Sequence, residues 1–225
     1  MAYGLALMLG VRLIINFRSP YISASPGEFW KRWHISLSRW IRDYIYIPLG
    51  GNRRGPLRVQ FNLLAAMVLS GLWHGAMWTF VVWGAVHGLL QIIHKWSLAL
   101  NRWNWVGALR ASFPYRMVAV FVFFHLITWT WVFFRAQSIT LAWDITVKMW
   151  TVNWLELFTS APMMGIAALY VLHVLEFGLR GREETVSRVW HKVPFPFRSV
   201  CYFALVLVLF YFLKGETYEF IYFQF

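Results

Sequence analysis

The sequence contains few charged residues and very few acidic ones. Only 13% of the 225 residues are charged, and 9 aspartates and glutamates stand against 21 lysines and arginines. An ordinary soluble domain carries roughly 25% charged residues, so the composition argues against a soluble globular protein. The single cysteine, Cys201, cannot form an internal disulfide, which excludes a small disulfide-stabilised scaffold. The Walker loop, the Gly-x-Gly-x-x-Gly fingerprint and the Gly-x-Ser-x-Gly elbow are also absent.

Hydrophobic residues make up 60% of the chain, and they are concentrated in long uncharged stretches. As a single helix, residues 59–94 would extend about 54 Å, too far for a hydrocarbon core of about 30 Å, so we expect a helical hairpin with a break near Gly71–Gly75. The sequence predicts an all-α integral membrane protein with about four transmembrane helices. The further predicted transmembrane helices are residues 117–134, 157–175 and 199–213.

The connections between these stretches differ in charge. Residues 1–58, 95–116 and 176–198 are basic, residues 135–156 are balanced, and residues 214–225 are acidic. Because basic connections stay on the cytoplasmic side, this order predicts a multi-pass plasma (inner) membrane protein with an extracytoplasmic C-terminus. Anionic lipid head groups account for the positive charge, so membrane lipid is the expected partner and nucleic acid is not.

Residues 26–48 mix aromatic and basic side chains densely. Ser25 or Pro26 can open a helix, with Glu28 in its first turn. Apolar residues at helical spacing and basic residues mostly off that stripe predict an interfacial or re-entrant amphipathic helix that binds anionic lipid. His34 stands at the border of the two faces. The apolar stripe comprises Trp30, Trp33, Leu37, Trp40, Ile41 and Tyr44, and the basic face comprises Lys31, Arg32, Arg39 and Arg42.

His74 lies inside the longest uncharged stretch. It follows Arg58 by about 22 Å along a helix, which places it at membrane depth. An ionisable residue at that depth is costly and is a functional candidate by default. In the alternative interpretation, His74 is a polar contact between helices that pack through the small-residue pairs Gly71/Gly75 and Gly84/Gly88.

Other histidines suggest polar packing. His87, Gln91 and His94 share one helix face. A zinc site there would need further ligands that the sequence does not place nearby, so we predict no metal and favour polar contacts between helices. His125 and His173 are isolated in apolar helices, where interhelical hydrogen bonds are the expected role.

Two motif regions resemble a known family. Residues 28–38 (Glu-Phe-Trp-Lys-Arg-Trp-His-Ile-Ser-Leu-Ser), residues 42–54 and Gly71-Leu-Trp-His-Gly75 are similar to the membrane-bound O-acyltransferase family. Within it, the sequence resembles the branch of the alginate O-acetyltransferase membrane subunit and the D-alanyl transfer protein of teichoic acids, with the alginate type closer. Residues 131–136 and 220–225 also resemble that branch.

The resemblance implies an O-acyltransferase that moves an acyl group, expected to be acetyl, from a cytoplasmic thioester to hydroxyls of an extracytoplasmic polysaccharide such as alginate. The implied catalytic histidines are His74, as general base, and His34, which would orient donor or acceptor. No bound cofactor is expected, because acetyl-CoA or an acyl-carrier thioester acts as donor substrate. A Gram-negative envelope with acyl-relay proteins is the implied setting. The expected donor- or substrate-binding residues are Lys31, Arg32, Trp33, Arg39 and Arg42.

Members of this family carry further helices before these motifs. We therefore expect residues 1–225 to be a single partial domain, the C-terminal half of a larger bundle whose N-terminal half would be an essential partner. A truncated, non-catalytic fragment or an assembly subunit remains an alternative. A proton-coupled transporter would also use intramembrane histidines, but it predicts repeated halves with broken helices, and no internal repeat is found.

Overall fold

The computed structural model describes residues 2–151 and 161–213, and within these ranges every regular element is helical. The predicted all-α class is therefore confirmed. Two 3-10 turns (Pro20–Ile22, Ala99–Arg102) and a π-helical turn (Arg42–Tyr46) connect α-helices. The α-helices are α1 Ala2–Met8, α2 Pro26–Trp30, α3 Ile35–Ile41, α4 Gly55–Leu72, α5 Trp78–Leu98, α6 Asn104–Ala111, α7 Phe113–Arg135, α8 Ile139–Thr151, α9 Ala161–Leu179, α10 Glu183–Lys192 and α11 Phe195–Leu213.

Helices α4 and α5 form a closely packed hairpin joined by residues 73–77. Glycines permit the close approach: a Cβ atom at Gly71 would overlap the carbonyl oxygen of Phe80, and one at Gly84 would overlap that of Met67. A Cβ atom added at Gly88 would lie only 3.1 Å from the Cα atom of Leu64. Small residues therefore bring the two backbones into direct contact, as small-residue pairs do between membrane helices.

Among the described helices, α7 is long and apolar enough to cross a membrane on its own. Ser112 caps its N-terminus, because its hydroxyl accepts the Tyr115 N–H, and Pro114 occupies the first turn. Helices α9 and α10 pass the same test only when they are taken together. The predicted number of four spans stays a prediction. Residues 157–160 of one predicted span, and the motif and charge at residues 214–225, lie outside the described residues.

The chain divides into two compact units, residues 1–174 and residues 175–225. The first contains the hairpin, α7, α8 and the segment with the motif around His34. The second contains α10 and α11, which are joined by a hydrogen bond of 2.8 Å from Trp190 Nε1 to the Tyr202 hydroxyl. All candidate site residues lie in the first unit.

Residues 26–48 do not form the single amphipathic helix that their periodicity predicts. Ser25 caps α2 as expected, since its hydroxyl accepts the Glu28 N–H at 3.2 Å. Helix α2 ends at Trp30, and it cannot continue into α3 because His34 directly before α3 adopts a left-handed conformation (φ 43°). The predicted apolar stripe is consequently divided: Leu37 and Ile41 are buried, whereas Trp40 and Tyr44 are exposed.

Candidate functional site

His74 lies in the turn between α4 and α5 and is half-buried. Four aromatic rings contact its imidazole, with centroid distances of 4.9 Å to Trp73, 4.9 Å to Phe134, 5.6 Å to Trp83 and 6.3 Å to Phe80. Its Nδ1 is buried and has no hydrogen-bond partner among the described residues. The turn therefore places the His74 imidazole among aromatic side chains, and its Nδ1 has no hydrogen bond to a described residue.

The second motif histidine, His34, reaches the same place from a distant part of the sequence. The Trp73 ring contacts both imidazoles, edge-on to His34 at 5.8 Å and to His74 at 4.9 Å. Burial lowers the pKa of His34, against a smaller opposing effect of a hydrogen bond with its own backbone, and this shift favours the neutral ring. Trp73 was not singled out in the sequence, because only the folded chain places it between the two histidines.

Backbone contacts from the N-terminal segment hold His34 in place. The Asn16 carbonyl accepts the Ile35 N–H at 3.0 Å, and the Asn16 side-chain oxygen accepts the Ser36 N–H at 2.8 Å. The Arg18 N–H donates to the Arg32 carbonyl at 2.9 Å. Asn16 thereby satisfies donors at the start of α3 that the left-handed His34 does not cap with its side chain. No local pattern around Asn16 indicated this role.

Arg32 and Trp33, both predicted donor-binding residues, have structural contacts. The Glu28 carboxylate accepts from Arg32 at 2.7 Å, from Arg116 of α7 at 3.2 Å, and from the Ala24 N–H at 2.9 Å. Burial alone would raise the pKa of Glu28, but these donors and cations together lower it. Trp33 stacks on Phe29 with a centroid distance of 5.6 Å. The ion pair between Glu28 and Arg116 links α2 to α7.

Lys31, Arg39 and Arg42 line one cavity of about 510 Å³ between residues 30–46 and helix α4. Arg42 also pairs with the neighbouring Asp43 at 2.7 Å. The cavity combines a basic rim with apolar walls, as suits a ligand with an anionic head and a slender body. Its other lining residues are Trp30, Ile35, Ser38, Ile41, Tyr46, Leu63, Ala66, Met67, Ser70 and Gln91.

The remaining histidines have varied roles. His87 is fully buried on α5, with Nε2 at 3.1 Å from the Thr130 hydroxyl of α7, which is the interhelical contact favoured by the sequence. The expectation for His125 is wrong: its ring is exposed, and Nδ1 donates to the Phe121 carbonyl of the same helix at 2.8 Å. His173 Nε2 accepts the Tyr21 N–H at 3.3 Å. No cluster of three metal-ligating side chains occurs in the described ranges.

A sequence profile for MBOAT, the membrane-bound O-acyltransferase family, matches residues 1–134. The chain belongs to this family. Both motif histidines, the basic rim of the cavity and α4 to α6 all lie within the matched residues, so the resemblance seen in the sequence is confirmed.

The relatives are named for three different polymers. The chain is 43% identical to the probable alginate O-acetylase AlgI of Azotobacter vinelandii, over 80% of this chain and 36% of the relative. It is 39% identical to a peptidoglycan O-acetyltransferase of Helicobacter pylori, over 70% of this chain and 29% of the relative. It is 29% identical to a teichoic acid D-alanyltransferase of Bacillus subtilis, over 54% of this chain and 35% of the relative. The chain spans about a third of the length of the alginate O-acetylases that it matches.

Proposed function

We propose that this chain carries the catalytic histidine of a membrane O-acyltransferase that acetylates hydroxyls of an extracytoplasmic polysaccharide, such as alginate, from a cytoplasmic thioester. The observation that supports this most is the His74 imidazole, whose buried Nδ1 has no partner in the described part of the chain. The names of the alginate and peptidoglycan O-acetylating relatives support the acetyl group and the polymer acceptor.

His74 acts as the general base. An acceptor hydroxyl attacks the thioester carbonyl carbon while a nitrogen of His74 takes the hydroxyl proton, and histidine suits this step near pH 7. The tetrahedral intermediate then collapses with cleavage of the C–S bond, and His74 returns the proton to the departing thiolate. The acetyl group is thereby transferred to the acceptor oxygen as an ester, and the carrier leaves as a thiol.

His34 and the cavity position the substrates. His34 lies across Trp73 from His74, close enough to orient donor or acceptor at the reacting centre. Lys31, Arg39 and Arg42 would bind the phosphate of coenzyme A or of an acyl carrier. Arg32 contributes indirectly, through its ion pair with Glu28. Positioning of this kind supplies a large part of the rate of a reaction between two bound substrates.

The proposal places the protein in the inner membrane, with basic connections in the cytoplasm and the C-terminus outside. Thioester donors are cytoplasmic and polysaccharide hydroxyls are presented from the other side, so the reaction needs a site reachable from both faces. The remaining part of the family bundle and envelope acyl-relay proteins are the expected partners.

Transfer of labelled acetyl groups tests this function. Membranes that contain the chain together with the remaining part of the family bundle, and matched membranes that lack only the chain, are given [¹⁴C]acetyl-CoA and de-acetylated alginate, and alkali-labile label in the polymer is counted. The proposal predicts ester-linked label only when the chain is present. Equal label in both membranes would contradict it and would favour a non-catalytic fragment or assembly subunit.

A further inference from the structure

Helix α10 has one apolar face and one polar face. Its apolar side chains recur at the i, i+3, i+4, i+7 spacing of a single helix face, and they are Val186, Val189, Trp190 and Val193, which directly follows the helix. On the opposite face lie the exposed side chains of Glu184, Ser187, Arg188 and His191. The apolar face is not covered either, because Val186 is 44% exposed and Val189 is 59% exposed. The second compact unit therefore presents an amphipathic helix with an open apolar face.

Trp190 joins the edge of this apolar face to helix α11. Its Nε1 donates to the Tyr202 hydroxyl at 2.8 Å, and the two rings meet edge to face at a centroid distance of 5.7 Å. From Phe195 to Leu207, α11 itself has no buried side chain, and Phe203 is 65% exposed. Tryptophan and tyrosine combine an apolar body with a polar group, and they are enriched where a membrane meets water. The contact between α10 and α11 therefore suits a membrane–water interface.

A cavity of about 340 Å³ opens on the apolar face of α10. Val186, Val189 and Trp190 line it, and Arg182 is the only charged side chain among its described lining residues. Arg182 and Lys192 stand at the two ends of the helix, and neither makes an ion pair within the described ranges. Long basic side chains lay their stems on apolar surface and reach phosphate groups with their charged ends. The cavity thus suits an acyl chain beneath a phosphate head.

The charged residues of α10 argue against a place inside the hydrocarbon core. Glu184, Arg188 and Lys192 follow one another at intervals of four residues in a helix of ten. Charged side chains are costly at the centre of a membrane. Water is equally unsuitable, because the open valine face would remain hydrated. The boundary between lipid and water satisfies both faces of the helix at once.

We propose that α10 lies in the plane of the membrane–water interface and that phospholipid covers its apolar face. Acyl chains contact Val186 and Val189 in the cavity, and Arg182 and Lys192 bind phosphate groups at the two ends of the helix. This contact with lipid is independent of any acyl transfer by the chain.

Spin labels on the two faces of α10 test the proposal. In a Cys201→Ser background, Val189→Cys places a nitroxide on the apolar face, and Ser187→Cys places one about 200° around the helix on the polar face. Both positions are exposed, so neither label displaces a buried side chain. The full chain is reconstituted in phosphatidylcholine–phosphatidylglycerol vesicles. Electron paramagnetic resonance then measures the access of lipid-soluble oxygen and of a water-soluble nickel chelate to each label.

The ratio of oxygen access to nickel access should be at least about fivefold higher at position 189 than at position 187, with the label at position 189 about 5–10 Å below the phosphates. Nickel access at both positions would place α10 in water. Low access of both reagents at position 189 would show that protein, either another part of the bundle or a second copy, covers the face. A depth of about 15 Å, at the middle of the core, would make α10 part of a span. Each of these three results overturns the proposal.

Discussion

His34 has a left-handed backbone conformation that is less favourable for a residue with a Cβ atom than for glycine. Its φ of 43° and ψ of 56° lie in the left-handed region, and it precedes α3 directly. The Ile35 and Ser36 N–H groups donate hydrogen bonds to Asn16, and these bonds stabilise the conformation of His34. The His34 ring contacts Trp73. Strained residues of this kind persist where the surrounding structure fixes them, and they concentrate at functional sites.

Two substitutions at this residue separate strain from chemistry. Both His34→Gly and His34→Ala remove the imidazole, but only alanine keeps the Cβ atom that makes the left-handed conformation costly. We expect His34→Gly to be more stable than His34→Ala by about 1–2 kcal/mol in the free energy of unfolding, measured by denaturation in mixed micelles. Equal stability, or greater stability of the alanine variant, would show that the left-handed conformation is not retained.

At the scale of helices, the α4–α5 hairpin determines where His74 is placed. The turn at residues 73–77 is fixed by the direct contact of the two helix backbones, and that contact depends on Gly71, Gly84 and Gly88. A change in the separation of α4 and α5 would move the turn that carries His74. The packing glycines are therefore expected to matter for activity as well as for stability.

A pair of glycine substitutions tests the hairpin. In Gly84→Ala the added methyl group would overlap the Met67 carbonyl, and the resulting overpacking should lower the free energy of unfolding by about 1–3 kcal/mol. Gly107 of α6 has open space around the same position, so Gly107→Ala should be neutral or stabilising by up to about 1 kcal/mol. Denaturation curves of the two variants give the comparison. Similar curves would show that the helices do not meet at Gly84.

Local sequence signals predicted some elements well and others badly. The Ser25 cap and the break near Gly71–Gly75 depend on neighbouring residues, and both occur in the structure, where α4 ends at Leu72 and α5 begins at Trp78. The prediction of a single helix over residues 26–48 was wrong because Asn16 accepts hydrogen bonds from Ile35 and Ser36. Asn16 precedes these residues by about twenty positions, so the contacts leave no periodic signal in the sequence. The basic residues could be identified from the sequence. Which of them would pair with Glu28 (Arg32) and which would line the cavity (Lys31, Arg39 and Arg42) could not be predicted, because this too depends on contacts made only in the folded chain.

For the whole molecule, the surface is consistent with a membrane environment. Helix α7 exposes large apolar side chains over most of its length, including Val118, Phe121, Val122 and Leu126. In water such a surface would be unusual for a monomeric soluble protein. Composition and family motifs were enough to predict an all-α protein of the membrane-bound O-acyltransferase family, because neither signal depends on contacts between distant residues. The number of spans depends on how helices α4, α5 and α9 to α11 sit in lipid, which composition does not determine.

Cysteine labelling tests the position of α7 in the membrane. In a Cys201→Ser background, Val122→Cys lies near the middle of α7 and Asn101→Cys lies in the connecting turn before α6. A membrane-impermeant maleimide should label the cysteine at position 101 from one side of intact or inverted vesicles and leave position 122 unlabelled until detergent is added. Equal labelling of both positions in sealed vesicles would contradict a spanning α7.

The rate of acetyl transfer by His74→Gln, compared with His125→Gln, tests the central role of His74 most directly. Both substitutions replace an imidazole by an amide, but His125 is exposed on α7 and bonds only the Phe121 carbonyl among its described hydrogen-bond contacts. With equal amounts of each variant in the membrane, the account predicts that His74→Gln lowers the transfer rate at least about 100-fold, because the general base is lost, while His125→Gln retains it. Transfer by His74→Gln at the rate of the unmodified chain would contradict the account.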